Sequence, residues 1–441
     1  MYNNMNFEFN IVTLKSKLKN IKINIDRNIL YNELTKTFKQ TKFLTDLIYT
    51  NSRLELQCNS YYGKTNPLKW QFGNIIYFWQ NYCCKYLGID TKILNKNIYD
   101  EFRIDYNNRF LVELINIDLI YDILEGLMEK ILKYIFNKNS LSNFDKFILR
   151  FSQFYNDHIN EDIITTLQIF NKKIFDYDVI YNKSLLSRIE FISVPNGNVL
   201  QGTENSFNGE FYFDNEFPPF NVTINSFKIS KYCITNYQFL QFVIDKGYTN
   251  NKYWSNTGWR WKLKKKLNHP INWQYDDYFK GKEWREKIFG KYHILRMNNP
   301  VTNISYHEAY AYCNWSNCRL PTESEWEYLT TFYNKDEKIN SNLNCVNGST
   351  ISVLDDKNCN NLKIVGLYGN VWEWCLENYY PYDGFIANPI YKEYSYPYFG
   401  KKGICKGGSW CTPDYLIKKS YRRAEDLNCN HKFIGFRVVK K

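Results

Sequence analysis

Histidine is scarce in this chain, with five in 441 residues. Of these, His269, His293, His307 and His431 are scattered through the second half, and none of the five stands with a Cys or Ser in a recognisable nucleophile motif. Cysteine is present, 12 in all, but zinc spacing is missing. No double CxxC occurs, Cys313 and Cys318 are wrongly separated, and only Cys83 and Cys84 are adjacent. No uncharged apolar run is long enough to span a bilayer. The opening Met1–Asn6 has no basic head followed by an apolar stretch, so no secretory signal is expected. These absences lead to the expectation of a cytoplasmic protein with free thiols and no membrane partner.

What is abundant is aromatic and apolar. Aromatic residues make up 18% and apolar residues 44% of the chain, enough for full cores in two or three domains. Asn, Lys, Ile and Tyr recur everywhere, as in the products of AT-rich genes. That bias inflates lysine, so the net charge of +12 is weak support for a nucleic-acid partner and none is expected. The run Lys262–Lys266 reads as a solvated loop.

Residues 1–180 hold only Trp70 and Trp79 of the 12 tryptophans, with little Gly or Pro. Their apolar residues recur at helical spacing. Four stretches, 28–50, 66–87, 110–136 and 142–172, predict an antiparallel four-helix bundle. Asn66 is the expected cap of the second helix, with Pro67 in its first turn.

From about 188 the pattern changes to short motifs rich in Gly and Trp. Thr235 or Asn236, Ser305 and Thr322 are expected helix caps. Glu308 and Glu325 reach back as capping-box partners, and His307 in a capped first turn reads as structural. Gly366–Trp374 places two tryptophans around Glu373, Lys406–Trp410 carries a double glycine, and Ile434–Val438 closes the chain. Buried Trp N–H groups need acceptors, and double glycines allow close backbone approach. The three blocks are therefore expected to converge in one core.

In this order the blocks resemble the formylglycine-generating-enzyme (sulfatase-modifying-factor) domain, a variant of the C-type lectin fold. The run Asn66–Asn74, with Trp70 and Gly73, is similar to the first iron-ligand helix of the DinB-like bundle in sulfoxide synthases of the ovothiol and ergothioneine type. The resemblance implies an α+β protein, with a DinB-like four-helix bundle over 1–180 and a formylglycine-type domain over 188–441. It also implies where a non-haem iron would sit. The family has His where this chain has Asn74, and a His-x-x-x-His pair where it has Phe154 and His158. Phenylalanine cannot coordinate, and Fe(II) oxygenase sites need about three protein ligands. Iron is thus not expected. A remodelled site would draw on His158, Asn74 and Glu161, with Asp162 nearby. The resemblance further implies a structural calcium at Gly369, Val371 and Glu373, through oxygen ligands.

The expected function is that of a catalytically degenerate homologue of the sulfoxide synthases, serving as a scaffold or binding an unidentified small molecule or protein. The alternative is an oxygen-dependent C–S bond-forming enzyme built on a remodelled metal site around His158.

Overall fold

The computed structural model describes residues 25–50, 65–91, 94, 98–181, 184–203, 211–276, 283–334, 340–388 and 390–441. They fall into two compact units: Met1–Phe170 with Asn205–Phe217 and Gly384–Pro397, and Asn171–Glu204 with Pro218–Asp383 and Tyr398–Lys441. Two later segments, one ending at Phe217 and one at Gly384–Pro397, thus belong with the N-terminal helices.

The first unit is built on α1 (Arg27–Tyr49), α2 (Leu68–Trp79), α3 (Ile117–Phe136) and α4 (Asn143–Ile169). Asp26 caps α1 by accepting from the amides of Asn28 and Ile29, and Ser142 and Asp145 form a capping box on α4. The expected Asn66 cap is a correction: Pro67 occupies that position without a side-chain cap. The Asn66 side chain instead accepts from Arg109 Nη1 at 2.9 Å. Helix α2 runs on through a π-helical turn, Gln80–Cys84, to Leu87. Helix α3 begins at Ile117, later than its apolar pattern suggests, because Tyr106–Phe110 form a separate 3-10 turn.

Between α1 and α4 lies a buried polar seam. Asn156 and Asn160 donate to Thr41 Oγ1 at 2.9 and 3.0 Å, and Thr37 Oγ1 donates to Asp157 at 3.1 Å. Pairing these groups avoids the cost of orphaned buried polar atoms and fixes how the helices register.

The second unit is mixed. In chain order its strands are β1 (Phe191–Val194), β2 (Gly197–Gln201), β3 (Phe220–Ile224), β4 (Phe227–Ser230), β5 (Trp273–Asp276), β6 (Glu283–Ile288), β7 (Lys291–Ile294), β8 (Cys318–Arg319), β9 (Trp372–Asn378), β10 (Gly403–Lys406), β11 (Arg423–Glu425), β12 (Ile434–Gly435) and β13 (Val439–Lys440). They form sheets of order β1-β4-β13-β8, β11-β10-β9-β12, β2-β3 and β5-β6-β7. Its helices are α5 (Asn236–Ile244), α6 (Asn256–Lys265), α7 (Tyr306–Trp315) and α8 (Glu323–Thr330). Thr235, Ser305 and Thr322 cap α5, α7 and α8, each in a full capping box.

The three Gly- and Trp-rich blocks meet in one sheet. On β9, Trp374 lies opposite Cys405 and Glu373 opposite Lys406 of β10. On its other side β12 runs parallel, with Gly435 opposite Glu373. Gly407 has φ +94°, and a Cβ there would lie 2.5 Å from the Leu367 carbonyl. That position therefore excludes any side chain.

Candidate functional site

In the first unit, Asn74 sits at the middle of α2 and is 2% exposed. Its amide is held at both ends: Nδ2 donates to the Tyr99 carbonyl at 2.9 Å, and Oδ1 accepts from the Tyr155 hydroxyl at 2.9 Å. Gly73 makes this possible, since a Cβ there would lie 2.1 Å from the Tyr99 ring. Tyr155 belongs to α4 and stacks on Phe78 of α2, with ring centroids 3.6 Å apart and planes at 9°.

Phe154, its neighbour on α4, turns into an aromatic cluster. Its ring meets Phe211 edge-on at 5.1 Å and Phe213 at 5.7 Å. Phe213 in turn stacks on Tyr394 at 4.2 Å. The two later segments of this unit are lashed together by Asp214, which accepts from Ser395 Oγ at 2.5 Å and from the Asn388 amide at 2.9 Å. Burial raises the Asp214 carboxyl to about 6, while those bonds pull it down. Tyr391 reaches Glu101 with its hydroxyl at 2.7 Å and places its ring 6.0 Å from Tyr155.

His158 lies one turn beyond Phe154 and is half-buried, and Glu161 after it is 4% exposed. Among the described residues, no three His, Cys, Asp or Glu side chains gather as metal ligands would. The donor set therefore does not fit Fe(II). Phe154 has no donor atom, and the Asn74 oxygen already accepts the Tyr155 hydroxyl. An open iron site needs about three protein ligands.

In the second unit the Glu373 carboxylate is fully buried and ringed by donors. Arg437 Nε donates to Oε2 at 2.6 Å and Nη2 to Oε1 at 2.7 Å. Trp326 Nε1 adds a bond at 3.1 Å and Cys233 Sγ one at 3.2 Å. Burial first, then the charge of Glu373, pushes the Cys233 thiol up, so it stays a protonated donor. Arg437 Nη2 also lies 3.2 and 3.1 Å from the Val365 and Gly366 carbonyls, and Nη1 donates to the Ser230 carbonyl at 3.4 Å.

Gly369, Val371 and Glu373 are the residues expected to hold calcium, and both Glu373 oxygens face Arg437. A cation bound by Glu373 would have to displace a guanidinium from both oxygens. The Gly369 carbonyl, moreover, accepts from the Val371 amide at 2.8 Å. The same unit holds a second buried ion cluster. Lys406 Nζ meets Glu327 at 2.9 Å, and Arg422 Nε meets Glu323 at 2.7 Å. His307 is 5% exposed in the first turn of α7, its ring 5.5 Å from Trp261, and burial pushes its pKa down.

Of the expected site residues, the structure pairs Asn74 with Tyr155 and turns Phe154 to Phe211 and Phe213, and the sequence did not single out Tyr155, Phe211, Phe213 or Tyr391. The run Phe211-Tyr212-Phe213 was a visible aromatic signal, whereas Tyr391 carried none.

Residues 180–441 match the Sulfatase-modifying factor enzyme 1-like domain. The chain is similar to hercynine oxygenase of Mycobacterium tuberculosis, 29% identical over 251 residues, which cover 51% of this chain and 55% of that protein. It is similar to formylglycine-generating enzyme of Mus musculus, 27% identical over 270 residues, 54% of this chain and 68% of that one. Inactive C-alpha-formylglycine-generating enzyme 2 of Mus musculus is 27% identical over 222 residues, 43% of this chain and 69% of its own. The chain spans about half the length of the hercynine oxygenases it matches. Because the domain match covers more than half of its residues, the chain belongs to the family of the Sulfatase-modifying factor enzyme 1-like domain.

Proposed function

We propose that this chain is a catalytically degenerate homologue of the non-haem iron sulfoxide synthases and acts as a scaffold or ligand-binding protein. In this reading the helical unit is DinB-like, and its former ligand positions have become packing. The observation that carries it is the pairing of Asn74 with Tyr155 beside a Phe154 buried among aromatic rings. Similarity to both a hercynine oxygenase and an inactive formylglycine-generating-enzyme relative supports it. A fold can keep its shape and lose its chemistry, since function resides in the site.

The test is anaerobic reconstitution with Fe(II), followed by assay with cysteine or γ-glutamylcysteine and a histidine derivative under oxygen. No sulfoxide product is expected. Catalytic turnover that disappears in His158→Ala would overturn the reading. It would favour a second one, an oxygen-dependent C–S bond-forming enzyme with a rebuilt site. The burial of Glu161 one turn beyond His158 is what speaks for that alternative.

A further inference from the structure

Three stretches of the second unit are tied together by backbone bonds. The Asn370 amide donates to the Asn342 carbonyl at 2.9 Å, and the Trp410 amide donates to the Asn370 carbonyl at 3.1 Å. The loop that starts at Asn342 adds two more. The Asn344 amide donates to the Thr412 carbonyl at 3.0 Å and the Cys345 amide to the Trp410 carbonyl at 2.9 Å. Gly369 admits this loop, since a Cβ there would lie 2.6 Å from the Asn342 carbonyl oxygen.

The tie sets two cysteines side by side. Cys411 follows Trp410 directly, so the bond from Cys345 to the Trp410 carbonyl holds the two Cα atoms within about 7 Å, the span a disulfide can bridge. Cys345 turns its thiol towards this neighbour, with Sγ 3.9 Å from the Cys411 carbonyl oxygen. The backbone imposes that direction. Asn344 and Cys345 both hold left-handed φ, +57° and +60°, a conformation that strains a residue with a Cβ. Cys411 Sγ lies 3.3 Å from Ser409 Oγ, a hydroxyl able to donate to a thiolate. Neither cysteine is joined in a disulfide.

Exposure gives the two thiols different parts. Cys345 is partly exposed, whereas Cys411 is 2% exposed. Cys359, also partly exposed, turns its Sγ to the Asn360 carbonyl at 3.5 Å. A reagent arriving from solvent therefore meets Cys345 first and Cys411 second.

We propose that Cys345 and Cys411 form a reversible disulfide clasp, closed by low-molecular-weight disulfides such as oxidised glutathione. The Cys345 thiolate attacks one sulfur of the external disulfide, forming a mixed disulfide and releasing one thiol. Cys411 then loses its proton to solvent and attacks the Cys345 sulfur, releasing the second thiol. Two protein thiols are oxidised and one external disulfide is reduced, a balanced two-electron exchange. The closed clasp joins the 342–348 loop covalently to the chain just beyond Trp410. It constrains the unfolded chain between its ends and so raises stability. The clasp does not depend on the metal content of the helical unit.

Peptide mapping by mass spectrometry of the full wild-type chain, incubated with oxidised glutathione, tests the proposal. A cross-link between Cys345 and Cys411 is expected, with two of the 12 thiols lost. The melting temperature should rise by several degrees, and dithiothreitol should reverse both changes. Cys411→Ala should stop at the mixed disulfide and carry one glutathione on Cys345. A bridge between other cysteines, with Cys345 and Cys411 still reduced, would overturn the proposal. So would a wild-type chain that stops at the glutathione adduct or keeps all its thiols.

Discussion

Tyr155 donates its hydroxyl to Asn74 Oδ1 at 2.9 Å, joining α4 to α2 at the position that the proposed kinship with sulfoxide synthases assigns to the first iron-binding histidine. In the proposed reading, a neutral hydrogen bond and a stacked ring stand where coordination bonds would be. The consequence for stability is direct. Tyr155→Phe should keep the stack on Phe78 and leave the buried Asn74 oxygen without its donor, at a cost of about 1–3 kcal/mol. Phe154→Ala should cost about 3–5 kcal/mol by opening a hole among Phe211, Phe213 and the helices. Urea unfolding checks both. Phe154→Ala with unchanged stability would show that the aromatic cluster is not part of the core.

The Glu373–Arg437 pair gives the second expectation. Both partners are fully buried. Removing either alone strands a charge, so Arg437→Met or Glu373→Gln should each destabilise by about 3–5 kcal/mol. A calcium chelator should leave the wild-type melting temperature unchanged, because an ion bound to the native state would stabilise it by mass action. A drop of several degrees with chelator, restored by calcium, would return the metal to this turn.

A third expectation concerns pH. Glu308 accepts from Tyr248 at 2.6 Å and from the Ser305 hydroxyl at 2.7 Å, and burial raises its carboxyl from 4.5 to about 7. The folded state then binds more protons than the unfolded state between those values. The contribution of Glu308 is fully present below its unfolded pKa and is lost as pH rises through about 7. The slope approaches about 1.4 kcal/mol per pH unit within that window. Glu308→Gln should flatten the stability profile between pH 5 and 7. A variant as steep as the wild type would assign the slope to other groups.

The parts of this fold that were readable in sequence were local ones. Ser305 with Glu308 and Thr322 with Glu325 declare their capping boxes within four residues, and both form. The Gly and Trp blocks signalled convergence, because backbone approach without a Cβ and buried indole N–H groups both demand a partner. Other features depended on chain separated by hundreds of residues. Nothing near Tyr391 announces that it will pack 6.0 Å from Tyr155, or near Phe211 that it will cover Phe154. Glu373 illustrates a further limit. Its motif fixed its burial, but whether a cation or Arg437 would face it depended on a residue 64 positions away.

The central claim, that shape has outlasted metal in the helical unit, is tested most directly by counting iron. Wild-type protein and the double variant Asn74→His with Phe154→His should be reconstituted anaerobically with Fe(II), desalted and analysed for metal per chain. One imidazole with an amide oxygen is a poor donor set, whereas three imidazoles suit Fe(II). Iron well below one per chain is expected in the wild type, rising toward one in the double variant. About one iron per wild-type chain, lost in His158→Ala, would contradict the account.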